Sequence, residues 1–200
     1  MTELPSPSAV SHIAEDAEAF GLASLPRGVH VLLREASASA RLIAHLHLVH
    51  DVALRLVSHV VDTFPTVGID AAAVRFGAAI HDIGKAMYPD ELSGAGDLHE
   101  AAGEAFLREQ GIDAKLARFA RTHGREPSSR ELCLEDLLVI AADKVWKGKR
   151  VRGLEERIAH TIANTTGKGF WDVETALDPI LEKLSAGADA RLEWQARFPI

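Results

Sequence analysis

A single cysteine, Cys133, stands in the whole chain. It can form no internal disulfide and excludes a cysteine-rich zinc cluster, so any metal held here must take nitrogen and oxygen ligands. Also missing is any apolar run of the roughly 18 residues needed to cross a bilayer. The opening stretch, MTELPSPSAVSHIAEDAEAF, has no basic segment followed by an apolar one. The expectation is a protein of the reducing cytoplasm with no membrane partner. Positive charge is scarce too: 22 Lys and Arg face 29 Asp and Glu, a net charge of −7. That balance disfavours bulk nucleic acid, whose binding relies on basic side chains neutralising phosphates, but it leaves room for a small anionic substrate. With only 8 prolines, 47% hydrophobic and 26% charged residues, the composition excludes disordered and collagen-like classes. A length of 200 residues is natural for one domain with a sizeable core.

What the chain does contain is helical periodicity. Apolar residues recur at helical spacing almost throughout, and period-two runs bounded by turn residues are hard to find, so the expected class is all-α. Residues 1–26 hold Pro5, Pro7 and Pro26 and read as an N-terminal arm with one short helix around Ala9–Phe20. A long helix is predicted from Ala36 to Phe64, with Val49, Val52, Leu56 and Val60 along one stripe, stopping before Pro65. Asp70 is placed to cap a helix from Ala71 to about Lys85. After a loop from Tyr88 to Gly96, further helices are expected over Leu98–Gln110 and from Asp113 to His123. The apolar segment LEDLLVIAADKVWK follows, then Glu155–Thr165, Asp172–Ala186 and a last short one in Ala188–Ile200.

Ten histidines are the other abundance, and several fall where a cation site could form. The hexapeptide IHDIGK, Ile80 to Lys85, sets adjacent His81 and Asp82 at the end of the apolar run RFGAAI. Two neighbouring ligands reach one cation only if the backbone turns both inward, and such a pair taken alone also serves to cap or salt-bridge a helix end. His45 shares a stripe with Val49, Ala53 and Leu56, and so points along the buried face of its helix. His99 precedes Gly103 by one turn, a small residue that would let a neighbouring element approach closely, and His123 ends KLARFARTH. Asp143 lies inside LLVIAADKVW, where an uncompensated carboxylate would cost several kcal/mol and a cation would offset that cost.

In order, spacing and flanking residues the region from Arg41 to Lys147 resembles the HD-domain superfamily of metal-dependent phosphohydrolases, whose pattern is a His, a His-Asp doublet followed here by Ile-Gly-Lys, and a distal Asp. The resemblance assigns His45, His81, Asp82 and Asp143 to that pattern. It also makes His99 and His123 similar to the two further histidines of the six-ligand, dinuclear subset. One of His45, His47 and His50 is the first ligand. His45 has Arg41, Val49 and Ala53 at matching places, but His50 where the family has an alanine. At five residues from His45, His50 is rotated by about 140°, so the two do not share a metal, and His50 either borders the substrate pocket or sits in the core. His47 is expected on another face. The implied division is residues 1–34 as the arm, 35–168 as the phosphohydrolase domain and 169–200 as C-terminal helices packing on it.

The resemblance further implies two divalent ions bridged by Asp82. His45, His81 and Asp143 would hold one ion, and His99 and His123 the other. Such a ligand set suits Mn, Fe, Co or Ni ahead of Mg or Zn. The implied reaction is hydrolysis of a phosphoester or phosphoanhydride by metal-activated water, with Asp82 and Lys85 as its catalytic pair. Lys85 would contact phosphate, or serve only as a solvated helix-end residue. The five basic residues of KVWKGKRVR begin beside Asp143, where Lys144 or Lys147 could draw in a polyphosphate, although a charge run is more often a solvated face. Trp146 and Trp171 could stack on a base. Gly124, Arg125, Glu126 and Pro127 stand where cyclic-di-GMP phosphodiesterases carry Gly-Tyr-Pro, which argues against that substrate. The compact pattern looks closest to small HD hydrolases such as the symmetrical diadenosine tetraphosphatases, and so to a small nucleotide-like substrate. Two alternatives use the same scaffold, a mixed-valent di-iron oxygenase and a non-catalytic metal-binding module. Elemental analysis of purified variants is expected to find metal lost with His81→Ala and Asp82→Ala, and kept near the wild-type level with His50→Ala.

Overall fold

The computed structural model describes residues 7–126 and 128–200. The first six positions of the N-terminal arm, and Pro127, lie outside the described residues. Within them the chain is all-α, with eleven helices, two short 3-10 turns and no strand. In chain order the helices are α1 Pro7–Phe20, α2 Val29–Glu35, α3 Ala40–Thr63, α4 Ala71–Ile80, α5 Leu98–Glu109, α6 Ala114–Ala117, α7 Phe119–Thr122, α8 Leu134–Val145, α9 Arg152–Thr166, α10 Phe170–Ala186 and α11 Ala188–Ala196. No helix among the described residues is long and apolar enough to cross a membrane.

Helix α3 is the axis of the bundle. It packs against α1, α4, α8, α10 and α11, and every residue from Leu42 to Ala53 is buried. That is the signature of a helix surrounded on all sides, broader than the single stripe its periodicity suggested. Its N-terminus is set by Ser39, whose hydroxyl accepts from the Leu42 amide at 3.3 Å, after Ser37 has turned the chain through a left-handed conformation with φ of 54°. The 36–64 helix of the sequence reading therefore starts four residues late, and ends as expected before Pro65. Asp70 caps α4 through the Ala73 amide at 2.9 Å, and Asp113 caps α6 through the Lys115 amide at 2.8 Å. The expected helix from Asp113 to His123 is interrupted only at Arg118, whose backbone stays right-handed.

The larger departure is at the end of α4, which stops at Ile80 instead of running to Lys85. Asp82 leaves helical geometry at φ −100° and ψ 10°, and Ile83–Ala86 continues as a 3-10 turn. This break presents His81 and Asp82, neighbours in sequence, to the same side. Beyond the HD-like region, α10 packs on α9 and α3. The Arg191 guanidinium of α11 donates to the carbonyls of Trp146 at 2.7 Å and Leu184, tying α11 to the end of α8. Arg41 holds the following segment by donating to the Phe198 carbonyl at 2.7 Å.

Enclosure of the Leu42–Ala53 stretch of α3 buries His47 and His50 as well, and none of their four ring nitrogens has a hydrogen-bond partner. Burial, reinforced by the nearby Arg75 charge, pushes His50 down to about 4. An unfolded histidine titrates near 6.5, so between that pH and about 4 the unfolded chain takes up a proton that the folded chain refuses. Stability is then full above the unfolded value and falls as pH falls through this window, by at most about 1.4 kcal/mol per pH unit for one such group. Urea midpoints measured from pH 7 to 4.5 are expected to decline less steeply for His50→Leu than for wild type, and equal slopes would contradict this origin.

Candidate metal centre

Six side chains from separate elements meet at one end of the bundle. Helix α3 supplies His45, the break after α4 supplies His81 and Asp82, the first turn of α5 supplies His99, the residue after α7 is His123, and α8 carries Asp143. All six are buried, and their potential ligand atoms form two groups that could each hold a metal ion: His45, His81 and Asp143, and Asp82, His99 and His123. His45, not His47 or His50, joins them.

The Asp82 carboxylate faces both groups. Its Oδ2 lies 3.1 Å from His45 Nε2 and 3.6 Å from His81 Nε2, and its Oδ1 lies 3.1 Å from His123 Nε2 and 3.3 Å from His99 Nε2. Asp143 Oδ1 stands 3.6 Å from His81 Nε2 and 3.8 Å from His45 Nε2. Two hydrogen bonds orient the imidazoles from outside. His81 Nδ1 donates to the Ala78 carbonyl at 2.9 Å, and His99 Nδ1 donates to Glu91 Oε2 at 2.5 Å. In a neutral ring each of these bonds leaves Nε2 as a lone pair directed inward, toward carboxylate oxygens and another imidazole. Lone pairs so placed repel one another unless a cation lies among them. Asp82 Oδ1, buried and without a hydrogen-bond partner, is the atom most in need of one. The donor set, four imidazoles and two carboxylates, therefore fits divalent cations with nitrogen and oxygen preference.

Burial raises the Asp82 carboxyl, yet His81 and the contacts from His123, His45 and His99 outweigh it and hold the group well below the usual carboxylate range. Asp143 is likewise raised by burial and more strongly lowered by His81, with Lys144 adding to the effect. The surroundings of both buried carboxylates thus favour their anionic forms. Lys85 Nζ is 2.7 Å from Asp82 Oδ2, Lys144 Nζ is 2.8 Å from Asp143 Oδ2, and Lys147 Nζ is 4.0 Å from Asp143 Oδ1.

Above the six residues opens a cleft of about 470 Å³, with Arg41, Lys85, Lys144 and Lys147 among its lining and Gln195 and Ile200 on its C-terminal wall. Trp146 also lines it, with its ring set edge-on against His45 at 5.0 Å between centroids, so it is more a wall of the site than an open stacking face. Trp171 is 68% exposed and does not line the cleft. The basic run divides. Lys144 and Lys147 face the cleft, whereas Arg150 is taken by Glu155, Asp178 and Glu182 and Arg152 by Glu156. His50 corrects the sequence reading: it has no exposed surface and does not line the cleft, so no substrate can touch it there. Burial on the far side of an enclosed helix is the reason. His59, half-buried, bonds the Ala176 carbonyl at 2.8 Å. Glu91 was not singled out by the sequence, because an acidic residue in a Pro- and Gly-containing loop looks like surface until the fold brings it to His99.

Close packing keeps the two groups adjacent. A β-carbon on Gly84 would stand 1.9 Å from the His99 carbonyl oxygen, and one on Gly103 would stand 3.1 Å from the Gly84 amide nitrogen. The glycine of IHDIGK and the glycine one turn after His99 are therefore two sides of a single contact between the 3-10 turn and α5.

A family model described as the HD domain matches residues 34–146. No curated protein matches, and no solved structure does. Gly84→Ala is expected to lower the unfolding free energy by about 1–3 kcal/mol through overpacking. Gly153→Ala in α9, where nothing lies within 4 Å of the added carbon, is neutral or stabilising, and urea unfolding of the two variants checks the contrast.

Proposed function

The chain belongs to the HD-domain family, whose superfamily consists mostly of metal-dependent hydrolases, and from that premise we propose that it hydrolyses a phosphoester or phosphoanhydride bond of a small nucleotide-like substrate. The observation that carries the reading is a carboxylate whose two oxygens face histidines of two candidate metal groups, with a cationic cleft directly above it. His45, His81 and Asp143 would hold one divalent ion, His99 and His123 a second, and Asp82 both. When bound, such ions lower the pKa of a coordinated water and offset negative charge on phosphoryl oxygens.

The remaining work falls to side chains of the cleft. Lys85 is 20% exposed and tethered to Asp82, so its ammonium lies both against the ligand cluster and within reach of an anion entering the cleft. Lys144 and Lys147 extend that positive edge beside Asp143 and would orient a phosphate chain by charge-assisted hydrogen bonds. Against a chain of net charge −7, this local cluster would steer phosphate to one place on the surface. Burial of the six residues restricts bulk water, which strengthens every electrostatic interaction among them. The lysine-lined cleft favours an anionic substrate over a neutral one.

A screen of metal-stripped protein reloaded with Mn, Co, Ni, Fe or Mg against nucleotides, dinucleoside polyphosphates and sugar phosphates, with products separated by chromatography, is expected to give metal-dependent hydrolysis of at least one nucleotide-like compound. On that substrate Lys85→Ala loses roughly 10- to 100-fold in kcat/KM, the worth of one charge-assisted hydrogen bond. Arg150→Ala, whose ion pairs lie outside the cleft, stays within about twofold. Absence of any hydrolysis product with every metal, read as substrate consumed as well as phosphate released, would overturn the reading.

A further inference from the structure

The two histidine groups are supported in different ways. His81 is oriented by the Ala78 carbonyl of its own helix, inside the packed core. His99 is oriented by Glu91, a residue of the 3-10 turn Pro89–Leu92, whose loop also sends Leu92, Ser93 and Gly96 to the wall of the cleft. Glu91 makes three bonds at the start of α5. Oε2 accepts from His99 Nδ1 at 2.5 Å and from the His99 amide at 3.1 Å, and Oε1 accepts from the Leu98 amide at 3.2 Å. Asp97, at the N-cap position of α5, makes no side-chain cap bond, so Glu91 caps this helix from across the loop. The loop is shaped around the carboxylate. A β-carbon on Gly96 would stand 2.3 Å from Glu91 Oε1.

One carboxylate therefore fixes the position of the α5 backbone, the orientation of the His99 ring and the nitrogen that the ring turns toward Asp82 and His123. We propose that Glu91 is the positioning residue of the Asp82, His99 and His123 group and makes occupancy of that half of the centre, and not of the His45, His81 and Asp143 half, conditional on the 88–97 loop being seated. The inference rests on the two-ion reading of the centre. Its physical basis is general: a carboxylate on the outer nitrogen of a ligating imidazole fixes the ring and strengthens it as a ligand, and its removal weakens metal affinity by about 10- to 100-fold. Here that effect falls on one of two adjoining sites because only one of their histidines is oriented from a loop.

The test is a titration of metal-stripped full-length protein with Mn²⁺, reading stoichiometry and affinity by equilibrium dialysis and the spin-coupled dimanganese signal by electron paramagnetic resonance. Wild type is expected to bind two ions and give the coupled signal. Glu91→Ala keeps the tighter ion at wild-type affinity, binds the second about 10- to 100-fold more weakly and loses the coupled signal at Mn²⁺ concentrations that saturate wild type. Glu91→Gln retains an oxygen that can accept from His99 Nδ1 and restores most of the second-ion affinity. Should the alanine variant not fold, Glu91→Met preserves the length without the acceptor and carries the same comparison. A folded Glu91→Ala or Glu91→Met protein with two wild-type affinities, or with both affinities reduced alike, overturns the role of Glu91 while leaving the two-ion centre standing. Wild-type protein that binds one ion or none overturns the two-ion reading, and this inference with it.

Discussion

The structure is organised around one buried carboxylate. Asp82 is 2% exposed, in surroundings that favour its anionic form, and each of its oxygens faces imidazole nitrogens from two different elements. An ion in that setting costs several kcal/mol unless it is compensated. The compensation reaches far into the fold. The chain must leave α4 at Ile80, two residues before Asp82, the following turn must lie against α5 at Gly84 and Gly103, and α3 and α8 must bring His45 and Asp143 across the bundle. The remaining helices bury and fix the elements that perform these tasks.

Charge is divided with equal economy. The chain is acidic as a whole, yet the mouth of its cleft is lined by Arg41, Lys85, Lys144 and Lys147. Lys85 and Lys144 rest against the two carboxylates, where their charges lower the cost of burying Asp82 and Asp143, and both line the cleft. Arg150, only six residues beyond Lys144, is enclosed by three acidic partners and serves the packing of α9 and α10. Neighbouring positions in one basic run thus do unrelated things, according to which side of the end of α8 they emerge from.

Much of this was legible in the sequence because it is local. Helical period and the caps Asp70 and Asp113 are set by residues within a turn of one another, and the IHDIGK doublet with Asp143 carried the family resemblance. What could not be read depends on distant contacts. Periodicity marks one apolar stripe on α3, but whether the other faces are also covered is decided by α1 and α10, and for that reason the sequence leaves His50 open between pocket and core, whereas the fold seals it in the core. The end of α4 was misplaced because the weak helix formers in RFGAAIHDIGK do not mark it: Gly77 lies inside α4 and Gly84 comes only after the break. The break follows from the approach of Gly84 to the His99 carbonyl. Glu91 was invisible for the same reason, since its partners lie seven and eight residues away across a loop.

The C-terminal helices belong to the same logic. Through Arg191 on the Trp146 carbonyl and Arg41 on the Phe198 carbonyl, α11 and the segment after it are fastened to α8 and α3, and Gln195 and Ile200 reach the cleft. The matched family region supplies the ligand cluster, and residues beyond it complete one wall. The central claim, that Asp82 is shared by two ions, is tested most directly by anomalous diffraction from crystals grown with Mn²⁺. Two peaks about 3.5–4 Å apart are expected on either side of the Asp82 carboxylate, one at His45, His81 and Asp143 and the other at His99 and His123. No peak beside Asp82, or a single one contacting only one of its oxygens at saturating metal, would contradict the account.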